Sequence, residues 1–177
     1  PEFLTSYCSE HDIELEIVPP VTDENTIISS THIRHLIQSG FVRRANFELG
    51  SVFGFFGCVV HGAGRGRSLD FPTANLVPVE KNQLMPKPGV YFTRGRINGL
   101  HLYGMCNFGT RPTFNEEELI MEVHFFHDNL ADLYGKEIRI EFLERIRDEK
   151  KFPSPIRLKE QLIRDKKICL DIQSKYE

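Results

Sequence analysis

Six short apolar stretches, each separated from the next by a loop rich in Gly, Pro or Asn, occupy most of the chain from Ser51 onward. Short strands joined by hairpin-length loops are typical of antiparallel barrels that are closed or nearly closed. The Asn-Gly pair in "INGL" is the clearest hairpin turn among these loops. We therefore expect a mainly β fold built on a six-stranded antiparallel barrel. The predicted strands are VFGFFGCVV, TANLV, GVYFTRGRI, LHLYGMCNF, ELIMEVHFF and KEIRIEFLERI.

A long helix is predicted after the last strand, over "SPIRLKEQLIRDKKICLDIQS". Ser154 is its expected N-cap, and Pro155 suits the first turn, where no backbone N–H is needed. An apolar stripe on this helix would cover the barrel wall. The stripe consists of Leu158, Leu162, Cys169 and Ile172.

Residues 1–50 have a different pattern. "IELEIVPPV" predicts a short strand, and "ISSTHIRHLIQSG" predicts a helix with Ser29 and Ser30 as candidate N-caps. "VRRANFEL" adds a helical turn that ends at Gly50. Because this α/β piece is too small to be a domain, we expect a boundary between it and residues 51–177.

The chain of 177 residues is slightly acidic, with 22 Lys and Arg against 25 Asp and Glu. This balance argues against a nucleic-acid coat and against binding to a membrane surface. No apolar run approaches the length that spans a bilayer. The four cysteines are widely spaced, so we expect buried thiols in a cytoplasmic protein. Because the chain does not begin with Met, we expect a fragment of a longer protein.

The loop "HGAGRGRS" places three glycines and two arginines between two predicted strands. Glycine allows backbone N–H groups to turn toward an anion, and Arg65 or Arg67 could add positive charge. The loop lacks the spacing of a P-loop. A solvated hairpin turn explains the loop equally well when it is considered alone.

"DFPTANL" follows this loop and carries polar residues within a predicted strand. Thr73 and Asn75 share one face of the strand by alternation. A hydroxyl and an amide oxygen are suitable ligands for Mg²⁺ and its phosphates. The alternative is that both side chains satisfy backbone groups where the strand begins. The neighbouring glycine loop favours the functional interpretation.

"LIMEVHFF" places Glu122 on the face opposite Met121 and Val123. A carboxylate among apolar neighbours is a candidate general base. The alternative is an outward-facing Glu on a barrel wall, which is the more common situation. His124 and His127 point to opposite faces of a strand, so we interpret them as structural residues.

Five motifs follow one another in this chain: "GCVVHGAGRGRSLDFPTANL", "KPGVYF", "NFGTRPTF", "MEVHFF" and "DLYGKEIRIEFLERIRDEKKFPS". From about Phe53 to the last helix the chain resembles the riboflavin kinase family. It is most similar to the C-terminal module of the prokaryotic bifunctional riboflavin kinase/FAD synthetase. The segment "ISSTHIR" resembles the end of the adenylyltransferase domain in that enzyme.

The resemblance implies a Greek-key barrel with a long C-terminal helix, preceded by an α/β remnant at 1–50. It implies transfer of the ATP γ-phosphate to the ribityl 5′-hydroxyl of riboflavin, which gives FMN and ADP and uses Mg²⁺. The parent protein would also make FAD from FMN and ATP, whereas this fragment would not.

The resemblance also assigns roles to individual residues. The kinase roles are a general base at Glu122, ligands of Mg²⁺ and the ATP phosphates at Thr73 and Asn75, nucleotide-covering residues at Gly62, Gly64 and Arg67, and flavin contacts at Arg147 and Phe152. The adenylyltransferase remnant would supply phosphate contacts from Ser29, Thr31 and Arg34.

Asp70 departs from the family pattern, which has Gly immediately before "FPTAN". An acid there could repel ATP or add a second-sphere contact to the metal. Two other functions are compatible with a small barrel. An oligonucleotide-binding module would need a basic groove with interleaved aromatics, which this acidic chain does not suggest. A non-catalytic flavin- or nucleotide-binding regulatory module would not need Thr73, Asn75 and Glu122 together.

Overall fold

A computed structural model describes residues 2–62, 64, 66–97, 99–112, 117–127 and 133–177. Within these ranges, six antiparallel strands close a barrel, and a long helix packs against its outer wall. The mainly β fold predicted from the strand pattern is therefore confirmed.

The barrel strands coincide closely with the predicted stretches. They are β3 (Gly54–Val60), β4 (Ala74–Pro78), β5 (Gly89–Ile97), β6 (Leu100–Pro112), β7 (Glu117–Phe125) and β8 (Glu137–Arg147). Their order around the barrel is β3-β4-β7-β6-β5-β8, and β8 pairs with β3 to close it. Because β5, β6 and β7 are sequential neighbours and β8 returns beside β5, the arrangement is a Greek key. Gly99 has a φ of 81° in the turn between β5 and β6, as the predicted Asn-Gly hairpin requires.

The barrel strands have two buried faces. The inner face forms the main core, which includes Leu76, Tyr91, Val123 and Phe142. On the outer face, Phe92, Met105 and Leu143 form a second cluster with helix α4 (Pro155–Gln173). Strand alternation thus separates the barrel interior from a helix-covered wall.

Helix α4 begins as predicted, and three of the four residues of its predicted stripe pack against the barrel wall, whereas Leu158 lies outside the second cluster. The Ser154 hydroxyl accepts a hydrogen bond from the backbone N–H of Arg157 at 3.4 Å. Cys169 is fully buried in the second cluster, and Leu162 and Ile172 pack against it. None of the helices in the described part of the chain is long and apolar enough to cross a membrane.

Helices α2 (Ser30–Gln38) and α3 (Val42–Leu49) pack against each other, and α3 packs against β8 of the barrel. They bury Ile33, Ile37 and Ala45 in a third cluster, against which Phe53 also packs. The side chain of Asn46 donates to the carbonyl of Phe142 at 2.8 Å and accepts from the N–H of Phe53 at 2.7 Å. Because these bonds cross to β8 and to the segment before β3, α3 is fastened to the barrel.

The predicted strand over "IELEIVPPV" is wrong. These residues have no regular structure, and they follow a helix, α1 (Glu2–Glu10), that the sequence pattern did not predict. Two-residue strands β1 (Thr22–Asp23) and β2 (Thr26–Ile27) come next and pair only with each other. None of the described strands has a register with "IELEIVPPV". Its last residue, Val21, accepts a backbone hydrogen bond from Ile28 at 2.9 Å, just beyond the β1–β2 pair, whereas Ile17 and Val18 remain exposed.

The expectation of buried thiols is correct for three of the four cysteines. Cys8, Cys106 and Cys169 are buried, whereas Cys58 is only half-buried, and all four are free thiols. Burial raises the pKa of the Cys169 thiol to about 12, so this group stays protonated at neutral pH. It is therefore unsuited to nucleophilic chemistry.

Candidate active site

A cavity of about 600 Å³ lies on the outer wall of the barrel, between the strands and the segment that joins β8 to α4. Residues from β5, β6 and β7 form its floor, and residues 149, 150 and 152–155 form one side. The side chains that matter for chemistry are Thr73, Asn107, Glu122, His124, Arg147 and Glu149.

A row of outward-facing residues crosses the barrel wall at this cavity. Glu122 on β7 lies directly opposite Asn75 on β4 and directly opposite Asn107 on β6. Residues paired in this way point to the same face, with Cβ atoms about 4.5–5.5 Å apart. The strand register therefore places a carboxylate between two side-chain amides.

Glu122 faces outward from the barrel. From the sequence, this orientation was associated with an ordinary residue of the barrel wall rather than with a general base. Its chain neighbours Met121 and Val123 point into the barrel core. However, this part of the outer wall is the floor of the cavity. The outward orientation of Glu122 therefore places its side chain in the cavity.

The glycine loop contacts both polar residues of "PTAN". A Cβ atom added at Gly62 would lie 2.1 Å from Asn75 Nδ2. A Cβ atom added at Gly66 would lie 2.2 Å from the Phe71 carbonyl oxygen and 3.2 Å from Thr73 Oγ1. At Gly66 an added side chain would meet backbone, so this approach requires glycine, and the loop that follows β3 lies against the start of β4.

The other predicted residues of this loop lie further from the cavity. Gly64 has a φ of 69°, with open space where a side chain would be. Arg67 is exposed in a 3-10 turn, Arg67–Leu69, and is not among the residues that line the cavity. Ala63 and Arg65, which also belong to this loop, lie outside the described residues.

Asp70 occupies the left-handed region of the backbone, with a φ of 65° and a ψ of 24°, directly after this turn. Glycine is favoured in that conformation and Asp is one of the few other residues that tolerate it, which gives a physical reason for glycine here. The carboxylate of Asp70 accepts a hydrogen bond from Lys159 of α4 at 2.5 Å. Because a lysine partly neutralises this acid, its repulsion of a bound phosphate is reduced.

Arg147 lines the cavity, but Asp165 occupies much of its hydrogen-bonding capacity. Arg147 Nε and Nη2 donate to Asp165 Oδ2 at 3.0 and 2.7 Å, and Nη1 donates to the Asp148 carbonyl at 2.8 Å. The side chain of Asp165 is fully buried on α4. The Arg147 guanidinium also lies 5.8 Å from the ring centroid of Phe152, which lines the cavity too. Arg147 thus connects the end of β8 to α4 and to Phe152.

Among the residues that line the cavity, Asn107 and Glu149 were given no role from the sequence, and His124 was interpreted as a structural residue. The carboxylate of Glu149 lies against β6, where a Cβ atom at Gly109 would be 1.9 Å from Oε1. Burial raises the pKa of Glu149, and Arg147 offsets part of this effect. Asn107 could have been identified as a candidate from the sequence, because Asn is disfavoured inside a strand. Nothing in the local sequence marked Glu149.

The predicted phosphate contacts of the N-terminal segment are not part of this cavity. Ser29 is the N-cap of α2 and accepts a hydrogen bond from the His32 N–H at 3.2 Å. Thr31 and Arg34 are exposed on the same helix. None of the three lines the cavity, so their role remains a prediction.

The family model of riboflavin kinase, also called flavokinase, matches residues 49–173. A match over this share of the chain establishes the family: the chain belongs to the riboflavin kinases.

Similar proteins are known from several bacteria. The bifunctional riboflavin kinase/FMN adenylyltransferase of Bacillus subtilis strain 168 is 40% identical over 85% of this chain and 48% of its own length. That of Escherichia coli K12 is 40% identical over 78% of this chain and 44% of its own length. The chain thus spans about half the length of the curated relatives it matches.

A solved structure has the same fold. The crystal structure of a Streptococcus pneumoniae protein described as a macrolide-efflux protein matches with a TM-score of 0.87 and 41% identity, over 95% of this chain and 54% of the other. The efflux description refers to that protein.

Proposed function

We propose that this chain transfers the γ-phosphate of ATP to the 5′-hydroxyl of riboflavin and releases FMN and ADP. The observation that carries this proposal is the position of Glu122 on the cavity floor. Asn107, which also lines the cavity, and Asn75, which does not, lie opposite it on the two neighbouring strands, next to the glycine loop. A phosphoryl acceptor needs a group that orients its hydroxyl and takes its proton. Glu122 is the carboxylate suited to that role.

The phosphate end of the site would be formed by the glycine loop and the start of β4. Backbone N–H groups of Gly62 and Gly64 would face the phosphates, and Arg67 would add charge when the loop closes. The hydroxyl of Thr73 and the amide oxygen of Asn75 would complete this end. Their closeness to Gly66 and Gly62 supports a single binding site for the nucleotide.

The same two residues fit a magnesium ion. Mg²⁺ prefers hard oxygen ligands and is usually held by few protein groups together with substrate phosphates. A hydroxyl and an amide oxygen meet that preference, and the described residues contain no cluster of three or more His, Cys, Asp or Glu side chains able to hold a metal. When bound, the ion would neutralise charge on the transferred phosphate.

The flavin end would be formed by the segment after β8. Phe152 lines the cavity and offers a flat apolar surface on which an isoalloxazine ring can stack. Since Asp165 holds the N–H groups of Arg147, we propose that Arg147 contacts the flavin through its planar face and keeps Phe152 in place.

The test is an assay of ADP release with purified protein, Mg-ATP and riboflavin. We expect ADP release that depends on riboflavin and equimolar FMN detected by chromatography. Binding of riboflavin without turnover would contradict the proposal and would favour a regulatory module instead.

We further propose that residues 1–50 belong to the adenylyltransferase part of a bifunctional cytoplasmic enzyme that also makes FAD. The similarity to bifunctional relatives, which extends over 85% of this chain in the Bacillus subtilis protein, supports this assignment. Ser29, Thr31 and Arg34 would then serve the second reaction rather than the kinase.

A further inference from the structure

His124 is a buried polar residue in the wall of the cavity. It lies two positions after Glu122 on β7 and therefore on the same face of the strand. Only 7% of its surface is exposed. Its ring meets Phe71 and Phe126 edge-on, at centroid distances of 5.0 and 5.9 Å. Packing between two aromatic rings fixes the orientation of the imidazole.

The imidazole makes a hydrogen bond to the backbone just ahead of Thr73. His124 Nδ1 lies 2.9 Å from the carbonyl oxygen of Pro72. A carbonyl oxygen can only accept, so Nδ1 carries the proton and His124 is the donor. The bonded carbonyl belongs to the peptide unit that joins Pro72 to Thr73. Because that unit is planar, the bond restrains the position of the Thr73 Cα atom.

None of the described strand pairs includes this peptide. The described register between β4 and β7 begins at Ala74, opposite Val123, and continues to Leu76. Thr73 lies before the first pair. The hydrogen bond from His124 therefore connects β7 to the Pro72–Thr73 peptide, which lies just before the first residue pair of the two strands. The side chain of Thr73 lines the cavity at this point.

We propose that His124 is a positioning residue that holds the Thr73 hydroxyl in the orientation needed at the phosphate end of the site. The inference rests on the proposed kinase function. One strand, β7, would then set both ends of the transfer: Glu122 at the acceptor hydroxyl and, through His124, Thr73 at the nucleotide. Loss of the bond would weaken Mg-ATP binding and leave riboflavin binding unchanged.

Substitution of His124 by Asn or by Gln distinguishes a role in positioning Thr73 from a role in packing. Asn carries its side-chain nitrogen at the δ position, as His carries Nδ1, whereas Gln carries it one bond further out. We expect His124→Asn to keep the KM for Mg-ATP within about twofold and His124→Gln to raise it about tenfold, the loss expected for one hydrogen bond. The Kd for riboflavin should change less than twofold in both. Equal KM values for the two variants, or parallel losses of nucleotide and riboflavin binding, would overturn the proposal.

A measurement on the unaltered protein covers the case in which a variant does not fold. Nitrogen-15 NMR of the histidine rings at pH 8 should show a tautomer with hydrogen on Nδ1 for His124, assigned with His124→Asn or with selective labelling. A ring that carries its hydrogen on Nε2 would overturn the proposal. If the unaltered protein has the Nδ1 tautomer but does not phosphorylate riboflavin, the kinase assignment fails and the hydrogen bond stands.

Discussion

At the scale of single residues, the proposed chemistry depends most on Glu122. Glu122→Gln keeps the size of the side chain and its place between Asn75 and Asn107, but it removes the base. General-base catalysis contributes about 10²–10⁴ to a rate, so kcat should fall by that factor while the Kd for Mg-ADP barely changes. Steady-state kinetics and titration calorimetry measure the two quantities.

Glu137 provides a matched control for this experiment. It is a glutamate on β8 that is exposed and does not line the cavity. Glu137→Gln should leave kcat unchanged within about twofold, since surface changes of this kind have small effects. Near-normal turnover in Glu122→Gln would show that Glu122 is only an outward-facing residue of the barrel wall.

Substitutions of Thr73 can distinguish a role in nucleotide binding from a role in stabilising the start of the strand. Thr73→Ala removes a hydroxyl that would bind a charged group, and a hydrogen bond of that kind contributes about 1.5–3 kcal/mol. We expect Mg-ADP binding to weaken about 10- to 100-fold with little change in Tm, and Thr73→Ser to retain most of the affinity. A large drop in Tm with unchanged affinity would instead indicate that Thr73 serves the start of the strand.

The alternation of side chains along a strand was sufficient to predict that Thr73 and Asn75 share one face of their strand and that Glu122 lies on the face opposite Met121 and Val123. It could not show that these faces meet, because that depends on which strands become neighbours in the barrel. His124 and Glu149 contact residues that are far away in the chain, Pro72 and Gly109. Local patterns carry no information about such contacts.

At the scale of elements, the glycine loop between β3 and β4 is expected to respond to nucleotide. Gly64 and Arg67 are exposed in the structure described here. If the loop closes over bound phosphates, the amide hydrogens of Gly62, Gly64 and Arg67 should exchange more slowly with Mg-ADP present. Hydrogen exchange with mass spectrometry measures this, and equal protection with and without Mg-ADP would rule out closure.

The strands and α4 were predictable because their patterns are local. Period-two alternation and the Asn-Gly turn define the hairpin of β5 and β6, and Ser154 with Pro155 defines the start of α4. "IELEIVPPV" has the composition of a strand as well. It forms none because a strand also needs a neighbour, and the described part of the chain offers it no paired edge.

At the scale of the whole molecule, the chain is expected to make FMN but not FAD. Adenylyl transfer needs a second site that grips the triphosphate, and residues 29–34 would supply only part of it. Chromatography after a long incubation of riboflavin with excess Mg-ATP should therefore show FMN and no FAD. An FAD peak above the no-enzyme control would mean that residues 1–50 do more than a remnant could.

The position of the site on the outer wall of the barrel has a consequence for how such an enzyme can change over evolutionary time. Val90, Asn107 and Glu122 face the cavity, while their chain neighbours Tyr91 and Met121 fill the core. Outward positions can therefore accept new residues, and with them new acceptor molecules, while the inward positions continue to stabilise the barrel. The same alternation makes the strands intolerant of insertions, because one added residue in β7 would exchange the two faces and remove activity and folding together.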